Sequence, residues 1–276
     1  MSIHMGGAPL SGVDGMVSYD GPVGGQQEVY ESPAEIGEIG LAHPGLFVFD
    51  VSYSTQAYIS AMNAGVDKFA CKLRQNPDVA SSAWLGMVSF ADDARTEFPL
   101  SRLADPSVVL PTLSARGSTN YAAAFQSTLD QLRADLPQLT DGPQGRRKVF
   151  RPTIYMVTDG YPNVGGDWRV PLNELRTRSW RPNIFVFGYG DADRAVIREI
   201  ASEGCAYFAK DGQTPESMFD AILAVILRSQ IDVHITATAN AAAAPGTAPV
   251  APPPIDPATI GLGDQLQTID PIGTID

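Results

Sequence analysis

The chain has 276 residues, enough for one large domain with tails or for two small domains, and its 44% apolar content is ordinary for a globular protein. Asp and Glu number 31 against 19 Lys and Arg, a formal net charge of −12, which argues against nucleic-acid binding because that relies on basic side chains to neutralise phosphates. No apolar run is long enough to cross a bilayer, and residues 1–30 have neither the basic start nor the apolar centre of a secretory signal, so a cytoplasmic protein without membrane association is expected. Cys71 and Cys205 stand in no metal or redox spacing and read as buried, unpaired thiols.

In chain order, residues 1–43 are rich in glycine and poor in apolar periodicity, which reads as a flexible N-terminal arm. The domain proper is expected over residues 44–238. Leu46 to Phe49 is an apolar run that reads as a buried strand. Tyr58, Met62, Val66, Phe69 and Leu73 then follow helical spacing, and Pro77 stops that helix. Trp84 to Phe90 reads as a second strand, Thr96 to Leu100 as a short edge strand, and Tyr121, Phe125, Leu129, Leu132 and Leu136 as a second amphipathic helix. Strands follow at Thr153 to Thr158, Asn183 to Tyr189 and Ala206 to Ala209, with helices between them near Pro171 to Arg178 and Asp191 to Glu203. Thr214-Pro215 is an N-cap followed by proline at the first helical position, opening a helix that carries Phe219, Ile222, Leu223 and Ile226. Ile231 to Thr238 alternates and reads as an extra edge strand. Residues 239–276 change to an Ala/Pro-rich tail, and trimming both arms is expected to leave stability nearly unchanged. Such alternation of strands and helices predicts an α/β fold with three α-β-α layers and a mostly parallel, doubly wound sheet between flexible arms.

The chemistry concentrates where strands end. Asp50-Val51-Ser52-Tyr53-Ser54 places a carboxylate and two hydroxyls at alternate positions directly after the first strand. Gly117-Ser118-Thr119-Asn120 offers the Thr119 hydroxyl before a helix, and Asp159-Gly160 closes another apolar strand. Two carboxylates and three hydroxyls are hard oxygen donors suited to a divalent cation. They also fall where open α/β sheets bind ligands, outside the carboxyl ends of the strands. The acids roughly neutralise a divalent ion and the hydroxyls add no charge, so the metal keeps its appetite for one further oxygen. Asp92-Asp93, after the second strand, reads as a polar turn. The basic clusters Arg146-Arg147-Lys148 and Arg176-Thr177-Arg178 read as solvated faces.

With these residues in that order, the stretch from about Pro44 to Ile231 resembles the von Willebrand factor A (VWA) family, whose metal-ion-dependent adhesion site has the pattern Asp-x-Ser-x-Ser, then Thr, then Asp. The resemblance implies a metal site at Asp50, Ser52, Ser54, Thr119 and Asp159 holding Mg²⁺ (or Mn²⁺). It also implies a protein partner that presents an Asp or Glu carboxylate, and no catalysis. Tyr53 departs from the Gly common at that position in bacterial members. Val157-Thr158-Asp159-Gly160-Tyr161-Pro162-Asn163, Trp168 and Trp180-Arg181-Pro182 look closest to bacterial tellurium-resistance-associated VWA proteins, which implies a stress-response setting. The enzyme alternative is a Mg-dependent phosphohydrolase of haloacid dehalogenase type with Asp50 as nucleophile. It wants a second Asp two residues on, where this chain has Ser52.

Overall fold

The computed structural model describes residues 16–17, 29–30, 40–102, 105, 108–142, 145–242, 252 and 254–269. The strands are β1 (Met16–Val17), β2 (Val29–Tyr30), β3 (Leu41–Asp50), β4 (Ala83–Phe90), β5 (Ala94–Arg102), β6 (Asp141–Gly142), β7 (Gly145–Arg146), β8 (Lys148–Phe150), β9 (Thr153–Thr158), β10 (Asn183–Gly188), β11 (Ala206–Ala209) and β12 (Leu266–Thr268). The α-helices are α1 (Ile59–Arg74), α2 (Pro77–Ser82), α3 (Tyr121–Leu139), α4 (Arg169–Thr177), α5 (Arg194–Ile200) and α6 (Pro215–Ala242).

The main sheet runs β5-β4-β3-β9-β10-β11-β12, parallel except for its antiparallel outer strands β5 and β12. Beside the start of β3, β8 pairs with Leu41 and Ala42, and the β1–β2 hairpin extends the sheet beyond β8. Both faces of the central strands are buried, so their sequences are continuously apolar rather than alternating with polar residues. Phe47 and Phe49 of β3 face a core shared with α1 and α6, while Leu46 and Val48 face the opposite core under α3, α4 and α5. The same alternation sends Tyr155, Phe185 and Tyr207 one way and Ile154, Ile184 and Phe208 the other. The expected three-layer, mostly parallel α/β architecture is therefore the observed one.

Helix starts follow their local chemistry. Asn120 caps α3 by accepting from the Ala123 N–H (3.0 Å), and Asp193 caps α5 by accepting from the Ala195 N–H (2.7 Å). At the start of α6 the Thr214 hydroxyl accepts from the Ser217 N–H (3.3 Å). Helices α1 and α6 pack closely because Gly65 leaves room: a Cβ there would lie 2.6 Å from Leu223 Cδ1.

Four expectations fail in instructive ways. Ile231 to Thr238 is not an edge strand; it continues α6. Val233 and Ala237, four residues apart, are its buried positions, and neither Gly nor Pro interrupts the chain between Pro215 and Ala242. Cys71 is exposed while Cys205 is buried, because Cys71 falls outside the Met62–Val66–Phe69–Leu73 stripe that α1 buries. Residues 254–269, expected to belong to a loose tail, lie against the sheet edge. β12 pairs with β11, the Tyr207 hydroxyl donates to the Ile255 carbonyl (2.9 Å), and Ile255, Leu266 and Ile269 are buried. Leu41 to His43, expected in the N-terminal arm, are the first residues of β3. Most of residues 1–39 and all of 270–276 lie outside the described residues.

Because Leu266 is only 2% exposed, Leu266→Ala should destabilise the fold by about 2–4 kcal/mol. Urea denaturation measures this; an unchanged midpoint would mean that the segment does not dock in solution. His43 gives a second test. It is buried against Phe150 (ring centroids 4.5 Å apart) with no hydrogen-bond partner on either ring nitrogen among the described residues. Burial, with the nearby His234 adding repulsion, lowers its pKa from 6.5 to about 3. Below pH 6.5 the unfolded chain takes up a proton that folded His43 refuses, so stability falls as pH drops towards 3, by up to about 1.4 kcal/mol per unit. His43→Phe should show a flatter stability profile than the wild type between pH 6.5 and 4.5.

Candidate metal centre

β3 ends in Asp50 and the neighbouring β9 ends one residue before Asp159, with Phe49 opposite Val157 in the parallel ladder. The chain winds from β3 through β4 and β5 to one side, then from β9 through β10 and β11 to the other. These two carboxylates thus stand where strand order reverses, the natural crevice of an open parallel sheet. After Asp50 the backbone stays extended through Ser52 (φ −61°, ψ 163°) and closes into a 3-10 turn over Tyr53–Ala57. Thr55 holds that turn, its hydroxyl donating to the Ser52 carbonyl (2.8 Å).

The turn aligns the two serines. Ser52 Oγ lies 3.0 Å from Ser54 Oγ, and Ser54 Oγ donates to Asp159 Oδ1 (2.8 Å), so the first and last loops of the pattern are joined directly. Asp50 sits behind them, fully buried. Its Oδ1 accepts from the Ser52 N–H (2.9 Å) and its Oδ2 from the Thr158 hydroxyl (2.7 Å). Thr119 comes from a third loop. Its N–H donates to Asn163 Oδ1 (2.9 Å), its carbonyl accepts from the Asn163 N–H (3.1 Å), and a Cβ on Gly160 would lie 3.4 Å from its hydroxyl. The Thr119 loop is tied to the first by the Tyr53 N–H on the Gly117 carbonyl (3.0 Å) and the Arg116 N–H on the Val51 carbonyl (2.7 Å). Gly117 has φ 56°, and a side chain there would strike Asp92, whose carboxylate accepts from the Ser118 N–H (2.8 Å). The five residues singled out in the sequence therefore converge.

Both acids are costly to ionise where they sit. Burial, above all, raises the Asp50 pKa against the hydrogen bonds from Ser52 and Thr158. Burial also pushes Asp159 up to about 6, opposed by the Ser54 hydrogen bond and reinforced by the charge of Asp50. Two desolvated, mutually repelling carboxylates bordered by neutral hydroxyls fit a divalent cation, whose charge would remove both penalties. Among the described residues no three of His, Cys, Asp or Glu gather in one place, so a metal here would draw on the hydroxyls as well as the acids.

Sequence reasoning missed the layer that positions these residues. Thr158 holds Asp50. The Tyr121 hydroxyl lies 3.1 Å from Thr158 Oγ1 and 2.8 Å from the Gly160 carbonyl, to which it donates. Asn163 sets Thr119. Asp92 and Asp93 behave as the expected polar turn, Asp93 pairing with Arg116 and Arg95. The haloacid dehalogenase alternative finds no support: both oxygens of Asp50 are engaged beneath the surface, and its neighbour two residues on is Ser52.

A von Willebrand factor type A domain model matches residues 46–221, more than half of the chain, and the chain belongs to that family of metal-dependent adhesion and protein-interaction modules. Human matrilin-1 is 25% identical over 177 residues, which cover 62% of this chain and 34% of matrilin-1. Proximal thread matrix protein 1 from the mussel byssus is 15% identical with a TM-score of 0.50, over 71% of this chain and 49% of that one. A further structure of the mussel protein has zinc in its MIDAS motif. The pilus adhesin SpaC from Lactobacillus rhamnosus GG is 13% identical with a TM-score of 0.51, over 79% of this chain and 35% of that one. The chain thus spans between a third and a half of the length of these relatives.

Thr158→Val should cost about 1–3 kcal/mol, since it strips a hydrogen bond from a buried carboxylate. Denaturant titration of the metal-free protein measures it, and a neutral result would leave Asp50 held by Ser52 alone.

Proposed function

We propose that this chain is a metal-dependent protein-binding module, not an enzyme. In this reading it holds Mg²⁺ or Mn²⁺ through Asp50, Ser52, Ser54, Thr119 and Asp159 and binds the carboxylate of a partner's Asp or Glu. The observation that carries the reading is the joined row of Ser52, Ser54 and Asp159 above a buried Asp50, at the reversal point of the sheet. The donors are hard oxygens carrying two acids, fewer than a dedicated Ca²⁺ cage. A bound divalent ion would supply Lewis acidity towards an incoming carboxylate. Ser54 and Asp159 would fix its position from two loops, Asp50 would balance its charge from below, and Thr119 would approach from a third loop. The zinc in the MIDAS motif of the mussel protein supports a divalent ion in such a site. The setting we propose is cytoplasmic, without nucleic-acid or membrane binding, in a bacterial stress-response system of the tellurium-resistance kind. This setting rests on the Val157–Asn163 and Trp180–Pro182 sequences. Among the described residues no helix is long and apolar enough to cross a membrane.

Calorimetric titration with MgCl₂ and MnCl₂ should show one site of modest affinity. Asp50→Ala should abolish binding while unfolding stays cooperative, because removing one of two close acids also removes repulsion. Undiminished binding by that variant would overturn the assignment. Acetate added to the Mn²⁺-loaded protein should displace metal-bound water and lower the proton relaxation enhancement, with the effect weakened in Thr119→Ala. A relaxation signal indifferent to acetate would argue against an open position for a carboxylate.

A further inference from the structure

The loops that bring the candidate ligands together also carry apolar side chains that the fold leaves in water. Among the described residues the exposed large apolar side chains are Tyr53, Val109, Tyr161, Val164, Val170 and Ile235. Tyr53, 68% exposed, stands between Ser52 and Ser54, and Tyr161, 58% exposed, stands two residues past Asp159. Val164 follows on the second of these loops, its N–H directed at the Thr119 carbonyl (3.4 Å). The backbone beneath this rim is fixed by the Tyr53 N–H on Gly117 and the Asn163 N–H on Thr119. Aromatic rings held out on a fixed backbone lose little freedom when something covers them, which makes them effective binding anchors.

The charge around the rim narrows what can cover it. Asp92, exposed, abuts the Thr119 loop through its bond to the Ser118 N–H, and exposed Asp191 lies close enough to act on Asp159. Among the described residues, Arg116, just before the Thr119 loop, is paired with Asp93. The whole chain is at −12. A divalent ion and two acids come to about zero, so one incoming carboxylate is accepted, and each further acid meets only repulsion.

Resting on the metal-dependent reading above, we propose that Tyr53, Tyr161 and Val164 form a specificity rim. It selects an extended protein segment with a single Asp or Glu flanked by large apolar side chains and free of other acids. The metal sets the register of the bound carboxylate, and the rim supplies most of the discrimination among carboxylates, which are otherwise common on every protein surface. Tyr hydroxyls keep contact with water while the ring faces are covered, so the rim stays soluble when empty.

A displayed library of 12-residue peptides, each with a fixed central Asp and randomised flanks, tests this on the full chain. Selection in Mn²⁺ and elution with EDTA should enrich Leu, Ile, Phe, Tyr or Trp within two positions of the Asp and deplete other acids. A selected peptide should bind Tyr53→Ser and Tyr161→Ser about tenfold more weakly by fluorescence polarisation, with calorimetric Mn²⁺ affinity unchanged. Eluted peptides without flank preference, or rich in further acids, would overturn the rim while leaving the metal-dependent reading in place. The same holds if a selected peptide is indifferent to both tyrosine changes. No EDTA-dependent elution at all would overturn the metal-dependent reading, and the rim with it.

Discussion

Two carboxylates, Asp50 and Asp159, are forced out of water side by side at the ends of adjacent parallel strands, and much of the surrounding structure answers that single electrostatic problem. An isolated desolvated charge is expensive, and a pair of like charges more so. The fold meets the cost with hydroxyls and main-chain N–H groups, not basic side chains: Ser52 and Thr158 on Asp50, Ser54 on Asp159. A Lys or Arg placed there would neutralise the pair and block the crevice. Hydroxyls satisfy oxygen lone pairs without cancelling charge, which leaves the pair suited to a divalent cation.

Strand order makes that arrangement available. Crossovers on opposite sides of β3 and β9 pull the loops apart at the top of the sheet, leaving room between them that a continuous winding would fill. The rest of the molecule keeps the two strands in register. Helices α1 and α6 close one face, α3, α4 and α5 the other, and residues 254–269 reach over the β11 edge so that Ile255 joins the first core and Ile269 the second. A site that depends on ångström-scale agreement between loops from three places in the sequence needs such a frame more than it needs any single ligand.

Much of this could be read from the amino-acid order. Each of the five candidate ligands follows or precedes an element whose own pattern is strong, and in a parallel sheet the strand ends must gather on one side. The supporting layer was not legible, because Thr158 and Tyr121 look like what they also are: a strand residue and the first member of a helical apolar stripe. Only the register of β9 against β3 puts the Thr158 hydroxyl under Asp50, and no one-dimensional period carries that information. The docked segment hid for a different reason. Ile255, Leu266 and Ile269 are spaced without helical or strand period inside an Ala/Pro-rich stretch, so their burial depends on an edge built by residues far earlier in the chain. In α6 the pattern Ile231-Asp232-Val233-His234-Ile235 satisfies period two as well as a helix. The deciding fact was the absence of a stop signal after Pro215.

The same balance of charge bears on the proposed rim of Tyr53, Tyr161 and Val164 beside the candidate centre. A cage of four or five acids would bind a cation tightly and leave it no appetite for a partner. On the proposed reading, two acids and three hydroxyls would leave the ion a ligand short, so that a partner's carboxylate could join its coordination. That bond, however, is blind to everything beyond one carboxylate. Selectivity has to come from contacts that the ion does not make. Among the described residues of these loops, the exposed groups that could make them include Tyr53, Tyr161 and Val164 on one hand and the acids Asp92 and Asp191 on the other. On that reading the first set would attract by burial and the second exclude by repulsion, which is how a binding surface can separate one acidic residue from the many it must ignore.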